Sequence, residues 1–289
     1  MKIGVFDSGY GGLTILEAIR MRLPEYEYLY LGDNARAPYG TRSFEVIYEY
    51  TLEAVRYLQR QGCRLIILAC NTASAKALRT IQQHDINPDV VRVLGVIRPT
   101  VEAVPALTRN GHIGIIGTPG TVSSESYVLE LEKITNNQST NHPINPSTII
   151  TQHACPLWVP LVESGEYKNP EADAIIRKDL HELLAADPEI DTLILGCTHY
   201  PLLLPKIKEI LSNHHTPYTI HHTPISLISQ GSLVADSLAD YLSRHPEIEQ
   251  DLARTKSCTY LTTESAERFA ASASVFLNVS GITAHHVEY

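Results

Sequence analysis

Short, continuous apolar runs alternate with amphipathic stretches from the first residues onward, and this alternation limits the chain to very few folds. The segment 2–6 (KIGVF) reads as a strand, 11–23 as a helix and 26–32 as a second strand. A long helix follows at 43–62, then a strand at 64–69 and a helix at 72–83. The strands lack the in–out alternation of a half-solvated sheet, so both their faces are covered. Strand–helix–strand order with doubly covered strands predicts a parallel, doubly wound sheet.

The pattern then starts again. Ile113-Gly114-Ile115-Ile116 repeats the opening Ile3-Gly4-Val5-Phe6, and TLILGCTHY (192–200) closes the second unit much as RLIILACNT (64–72) closes the first. A period of about a hundred residues is too long for a solenoid and predicts two similar α/β units facing one another. We place the first at 1–97 plus 206–289 and the second at 98–205. Residues 206–289, with helices expected at 206–212 and 226–243 and a strand at 259–263, are too few for a third unit and should return to the first. The polar run 135–147 reads as a surface loop.

Bulk properties narrow the function. With 289 residues and a formal net charge of −9, the chain lacks the basic face that nucleic acid requires. No apolar run approaches the ~18 residues of a membrane span, and no signal peptide is evident, so a cytoplasmic protein is expected. Five cysteines without a C-x-x-C pair point to free thiols rather than a disulfide framework.

In open α/β sheets, ligands bind beyond the carboxyl ends of strands. Four polar clusters lie there: Asp7-Ser8-Gly9, GDNARAPYG (32–40), Cys70-Asn71-Thr72 and Cys197-Thr198-His199. Two thiols at equivalent places in paired units can flank one ligand. That suits inversion of a carbon acid, in which a proton leaves one face and another arrives at the opposite face. A thiol with a pKa of about 8.5, lowered at a helix start, serves as acid or base near neutral pH. Asp7 can orient and assist one thiol; His199, with Glu163 of PLVESG, can assist the other. Ser8, Asn71, Thr72 and Thr198 supply neutral donors for carboxylates.

Alone, either cysteine would read as an inert buried thiol, and Cys63, Cys155 and Cys258 keep that reading. Gly9, Gly11 and Gly12 do not match a phosphate loop, and a carboxylate at the mouth would repel phosphate. The pairs His214-His215 and His221-His222 invite a metal, but no carboxylate or thiol is spaced with them. Arg36 and Arg98 fit substrate carboxylates or surface ion pairs equally well.

Together IGVFDSGYGGLTIL, GDNARAPYG, ACNTASA, GVIRPT, IGTPGT, PLVESG and GCTHYPLL, in this order over nearly the whole chain, resemble the glutamate racemases of the cofactor-independent Asp/Glu racemase superfamily. The resemblance implies two flavodoxin-like domains related by a pseudo-twofold axis, with the active site in the cleft between them. It implies Cys70 and Cys197 as the two acid/bases. Asp7, Ser8, Tyr39, Gly40, Asn71, Thr72, Thr118, Thr121, Thr198 and His199 would line the substrate. It further implies glutamate as substrate, no cofactor and no metal, and a role in peptidoglycan synthesis; a homodimer is the expected assembly. Asn34 and Tyr10 depart from the family's usual residues without touching the thiols. An aspartate racemase, and a two-lobe binding protein without catalysis, are the competing readings.

Overall fold

The computed structural model describes residues 1–136, 148–212 and 224–289. Both histidine pairs and nearly all of the expected 135–147 loop lie outside these residues. Among the described residues ten strands form two wholly parallel sheets. They are β1 (Lys2–Asp7), β2 (Tyr28–Gly32), β3 (Cys63–Leu68), β4 (Arg92–Gly95), β5 (His112–Gly117), β6 (Ile149–Ala154), β7 (Thr192–Gly196), β8 (Ser226–Ile228), β9 (Cys258–Thr262) and β10 (Ala284–His286). The first sheet has the order β10-β9-β2-β1-β3-β4 and the second β6-β5-β7-β8. The block β2-β1-β3-β4 is thus repeated as β6-β5-β7-β8, the doubly wound order expected from the restart at Ile113.

The central strands are the continuous apolar runs. β2 and β7 are buried at every position, and β1, β3 and β5 at all but one. One face of the first sheet packs Ile3, Val5 and Leu65 against Leu16, Ile19, Val234, Leu238 and Phe269. Its other face packs Phe6, Ile66 and Leu68 against Ile47, Val55 and Leu58 of the helix Phe44–Arg60. That helix begins where Ser43 accepts a hydrogen bond from the Val46 amide at 3.4 Å.

Several expectations need revision. The single helix foreseen at 72–83 is two, Asn71–Lys76 and Leu78–His84, separated at Ala77. The strand expected to start at 26 begins at Tyr28. Of residues 206–228, assigned to the first unit, those described at 206–212 and 226–228 lie with the second sheet instead. Ile207 and Ile210 pack into its core with Trp158 and Leu195, and Ser226–Ile228 pairs with β7. The helix expected from 226 runs over Gln230–Arg244 and packs on the first sheet's core. The chain therefore crosses between sheets at 96–97 and again at 229–230. Gln230 joins the two crossings, its Nε2 donating to the Val96 carbonyl at 3.2 Å. β9 and β10 lie on the first sheet, so the C-terminal segment does return there. No helix among the described residues is long and apolar enough to cross a membrane.

Candidate active site

The carboxyl ends of β1, β3, β5 and β7 converge on one small cavity of about 90 Å³. Cys70 and Cys197 both line it, one from each sheet, and both are buried. Asp7, Ser8, Tyr39, Gly40, Asn71, Thr72, Thr118, Glu163, Thr198 and His199 also line it.

Each thiol has its own partners. Cys70 caps the helix Asn71–Lys76, its Sγ accepting from the Ala73 amide at 3.5 Å. Ser8 Oγ stands 3.2 Å from the same sulfur. Burial, with the Asp7 charge adding to it, pushes the Cys70 thiol up to about 12 despite these two hydrogen bonds. Asp7 is itself raised, chiefly by burial, with His199 opposing. Its Oδ2 accepts from the Gly9 amide at 2.9 Å, while its buried Oδ1 has no hydrogen-bond partner. A buried unpaired acceptor costs about 1–3 kcal/mol and is a natural seat for a cationic ligand group.

On the other side Cys197 Sγ lies 3.8 Å from His199 Nδ1, and His199 Nε2 lies 2.9 Å from Glu163 Oε1. Burial works against a charged imidazole, yet Cys197 and Glu163 outweigh it and raise His199 to about 10. The His199 imidazole thus stands between the Cys197 sulfur and the Glu163 carboxylate.

The glycines explain how the clusters come so close. At Gly11 a Cβ would lie 2.4 Å from His199 Nδ1, and at Gly12 one would lie 2.5 Å from the Asp7 Cβ. At Gly40 it would meet the Thr118 Cβ at 2.9 Å. The 39–40 turn is pinned across the cleft by the Gly120 amide donating to the Gly40 carbonyl at 2.7 Å. The Tyr39 hydroxyl donates to Asp33.

Two expected contacts sit differently. Thr121 is fully buried behind the cavity wall and does not line it. It closes a hydroxyl cluster with Thr118 at 3.1 Å and Thr72 at 3.4 Å, because residues three apart on one helical turn share a face. Asn71 reaches the cavity, but its side chain is engaged in a buried network. It exchanges hydrogen bonds with Gln230 at 2.6 and 3.2 Å and accepts from the Tyr127 hydroxyl at 2.7 Å. Arg36 pairs with Asp33 and Glu53, and Arg98 with Glu102; neither lines the cavity. Cys155, read from sequence as structural only, does line it, as do Thr41 and Val159.

The profile of the Asp/Glu/Hydantoin racemase family matches residues 13–223. The glutamate racemase of Shouchella clausii is 38% identical over 278 residues, 96% of this chain and 90% of that one. Among solved structures, a glutamate racemase isoform from Bacillus anthracis superposes with a TM-score of 0.83 at 33% identity, covering 99% of this chain and 97% of that one. The Francisella tularensis glutamate racemase in complex with D-glutamate gives 0.81 at 30% identity, covering 99% and 97%. With two lobes of matching sheet order, two thiols in one cavity and relatives of this closeness over its full length, the chain belongs to the Asp/Glu/Hydantoin racemase family, on its glutamate racemase branch.

Proposed function

We propose that this protein interconverts L- and D-glutamate by transferring the α-proton between two cysteines, Cys70 and Cys197. The observation that carries the reading is the presence of both thiols in one cavity, reached from different sheets and served by different partners. One thiolate removes the α-proton from one face while the opposite thiol donates its own to the other face. The product is the mirror image, and the two sulfurs have exchanged protonation states. The α-ammonium group of the substrate pairs with the unpartnered Asp7 Oδ1. Ser8, Thr72, Thr118 and Thr198, with backbone amides near Gly40 and at the Asn71 helix start, hold the carboxylates. Asp7 supports Cys70; His199, held by Glu163, supports Cys197. Thr121 acts from behind as a positioning residue, and Tyr39, donating to Asp33, lines the cavity.

The same reading assigns a lobe of about 1–96 plus 229–289 and another of 97–228, at the crossings seen in the fold. It also assigns a cytoplasmic homodimer that supplies D-glutamate for peptidoglycan; light scattering on the purified protein tests the assembly.

The decisive experiment follows L-glutamate by circular dichroism or chiral chromatography with no cofactor added. The wild type should racemise it, and Cys70→Ser and Cys197→Ser should each lower turnover at least 10²-fold in both directions, since a mispositioned or missing acid/base costs about that much. In deuterated water, product should carry solvent deuterium while recovered substrate initially stays protiated. Equal deuterium in both would overturn the two-base mechanism.

A further inference from the structure

A second cluster of ligating side chains adjoins the active-site wall at Cys155 and extends behind it. His153, near the end of the edge strand β6, and Cys155, two residues on, meet Asp179 of the helix Glu171–Ala186. One ligand atom from each of the three lies within 4.8 Å of the others. His153 Nε2 is 3.4 Å from Asp179 Oδ1 and 3.7 Å from Glu182 Oε2. Residues two apart on a strand share a face, as do residues three apart on a helix. An H-x-C pair on an edge strand thus confronts a D-x-x-E pair on the helix covering it.

We propose that His153, Cys155, Asp179 and Glu182 form a binding site for a zinc-class divalent cation, separate from the catalytic machinery. The donors are one nitrogen, one sulfur and two carboxylate oxygens, a set that suits a borderline-soft, four-coordinate ion. Zinc bond lengths of about 2.0–2.3 Å in a tetrahedron place neighbouring donors about 3.3–3.8 Å apart. The two His153–carboxylate separations already lie in that range, and the widest spacing of the triad needs a contraction of about 1 Å. Trp158 Nε1 donates to Asp179 Oδ2 at 2.7 Å, which turns Oδ1 toward His153. Such outer hydrogen bonds commonly orient carboxylate ligands. The cation has a route in, because Glu182 is half exposed and the His153 side chain is 20% exposed.

Burial first, and Asp179 second, push the Cys155 thiol well up, so the protein without metal carries it protonated. Binding forms the sulfur–metal bond and releases that proton to solvent, which makes affinity rise with pH. The oxidation states of sulfur and metal do not change. This site rests on none of the residues assigned to proton transfer, so it stands or falls independently of the racemase reading.

The test uses the full chain carrying Cys70→Ser and Cys197→Ser, which removes the catalytic thiols as competing ligands. Co²⁺ added to this protein should give a thiolate-to-cobalt charge-transfer band that saturates at one equivalent and is abolished by excess Zn²⁺. Adding Cys155→Ser should remove the band. His153→Ala, and Glu182→Gln at the exposed rim where folding is not at risk, should each weaken cobalt binding about tenfold or more. Absence of the band, its survival in Cys155→Ser, or unchanged affinity in both His153→Ala and Glu182→Gln would overturn the proposal.

Discussion

Replacing Gly11 with alanine should damage turnover far more than folding. Gly11 has φ −58° and ψ −36°, ordinary right-handed helical values, so alanine meets no backbone strain there. As the N-cap of the helix Gly12–Arg22, Gly11 makes no side-chain cap for alanine to lose. The obstacle is space: the new Cβ would lie 2.4 Å from His199 Nδ1, 2.5 Å from Thr198 Oγ1 and 2.7 Å from His199 Cε1. Ordinary van der Waals contact begins near 3.4 Å, so the 198–199 turn must retreat by about 1 Å. It cannot do so freely, because Thr14 Oγ1 ties this helix to the Thr198 carbonyl at 3.1 Å. Overpacking of this kind costs about 1–3 kcal/mol. A displacement of 1 Å at the reacting groups can cost about 10²-fold in rate. We therefore expect kcat/KM to fall about 100-fold, with only about 1–3 kcal/mol lost from unfolding free energy. Both directions must fall by the same factor in kcat/KM, since the equilibrium constant of a racemisation is unity. The assay is circular dichroism of each enantiomer beside urea unfolding of the same preparation. A folded Gly11→Ala protein with kcat/KM within about threefold of wild type would refute the claim that this contact positions His199.

Three further outcomes follow from the geometry. His199, raised to about 10, contributes stability that is complete below about 6.5 and is lost as pH rises through about 10; in Glu163→Gln the loss should still begin near 6.5 but be smaller and complete at lower pH, seen in urea unfolding against pH. Gln230→Ala leaves Asn71, Tyr127 and Thr100 without a shared partner and should cost about 2–4 kcal/mol in unfolding free energy, with KM changing less than kcat as Cys70's helix loosens. Glutamate should exceed aspartate in kcat/KM by about 10–200-fold, the range one methylene commands, and equal turnover of the two would reassign the substrate.

How far the sequence reveals this molecule depends on whether a residue's role is local. β1, β3, β5 and β7 are visible because strands covered on both faces must be apolar throughout, and the thiols are visible because they interrupt such runs. β6 was not seen: its residues IITQHA are all exposed or half-buried, as an edge strand permits, so no apolar run marks it. Missing β6 also hid the fact that Cys155 stands at a strand end facing the cavity. β8 spans only three residues and merges in sequence with the helix after it, which misplaced 206–228. The break at Ala77 carries no glycine or proline to announce it. Thr118 and Thr121 are equivalent in pattern, and only the packing of two lobes decides which one faces the cavity.

The two halves of the site are built alike but charged differently, and that difference constrains the proposed mechanism. Burial and the Asp7 carboxyl push the Cys70 thiol up, whereas Cys197 has the His199–Glu163 pair for its partner. In the proposed reaction a thiolate must form at Cys70, beside the Asp7 carboxyl. A bound amino acid changes the balance, because its ammonium group against Asp7 Oδ1 neutralises the charge that opposes a Cys70 thiolate. The neutral wall of Ser8, Thr72, Thr118 and Thr198 adds no charge that would favour either state. On the proposed mechanism the substrate's own ammonium is therefore the group that eases formation of the Cys70 thiolate, and an analogue lacking it should exchange its α-proton poorly from the Cys70 face.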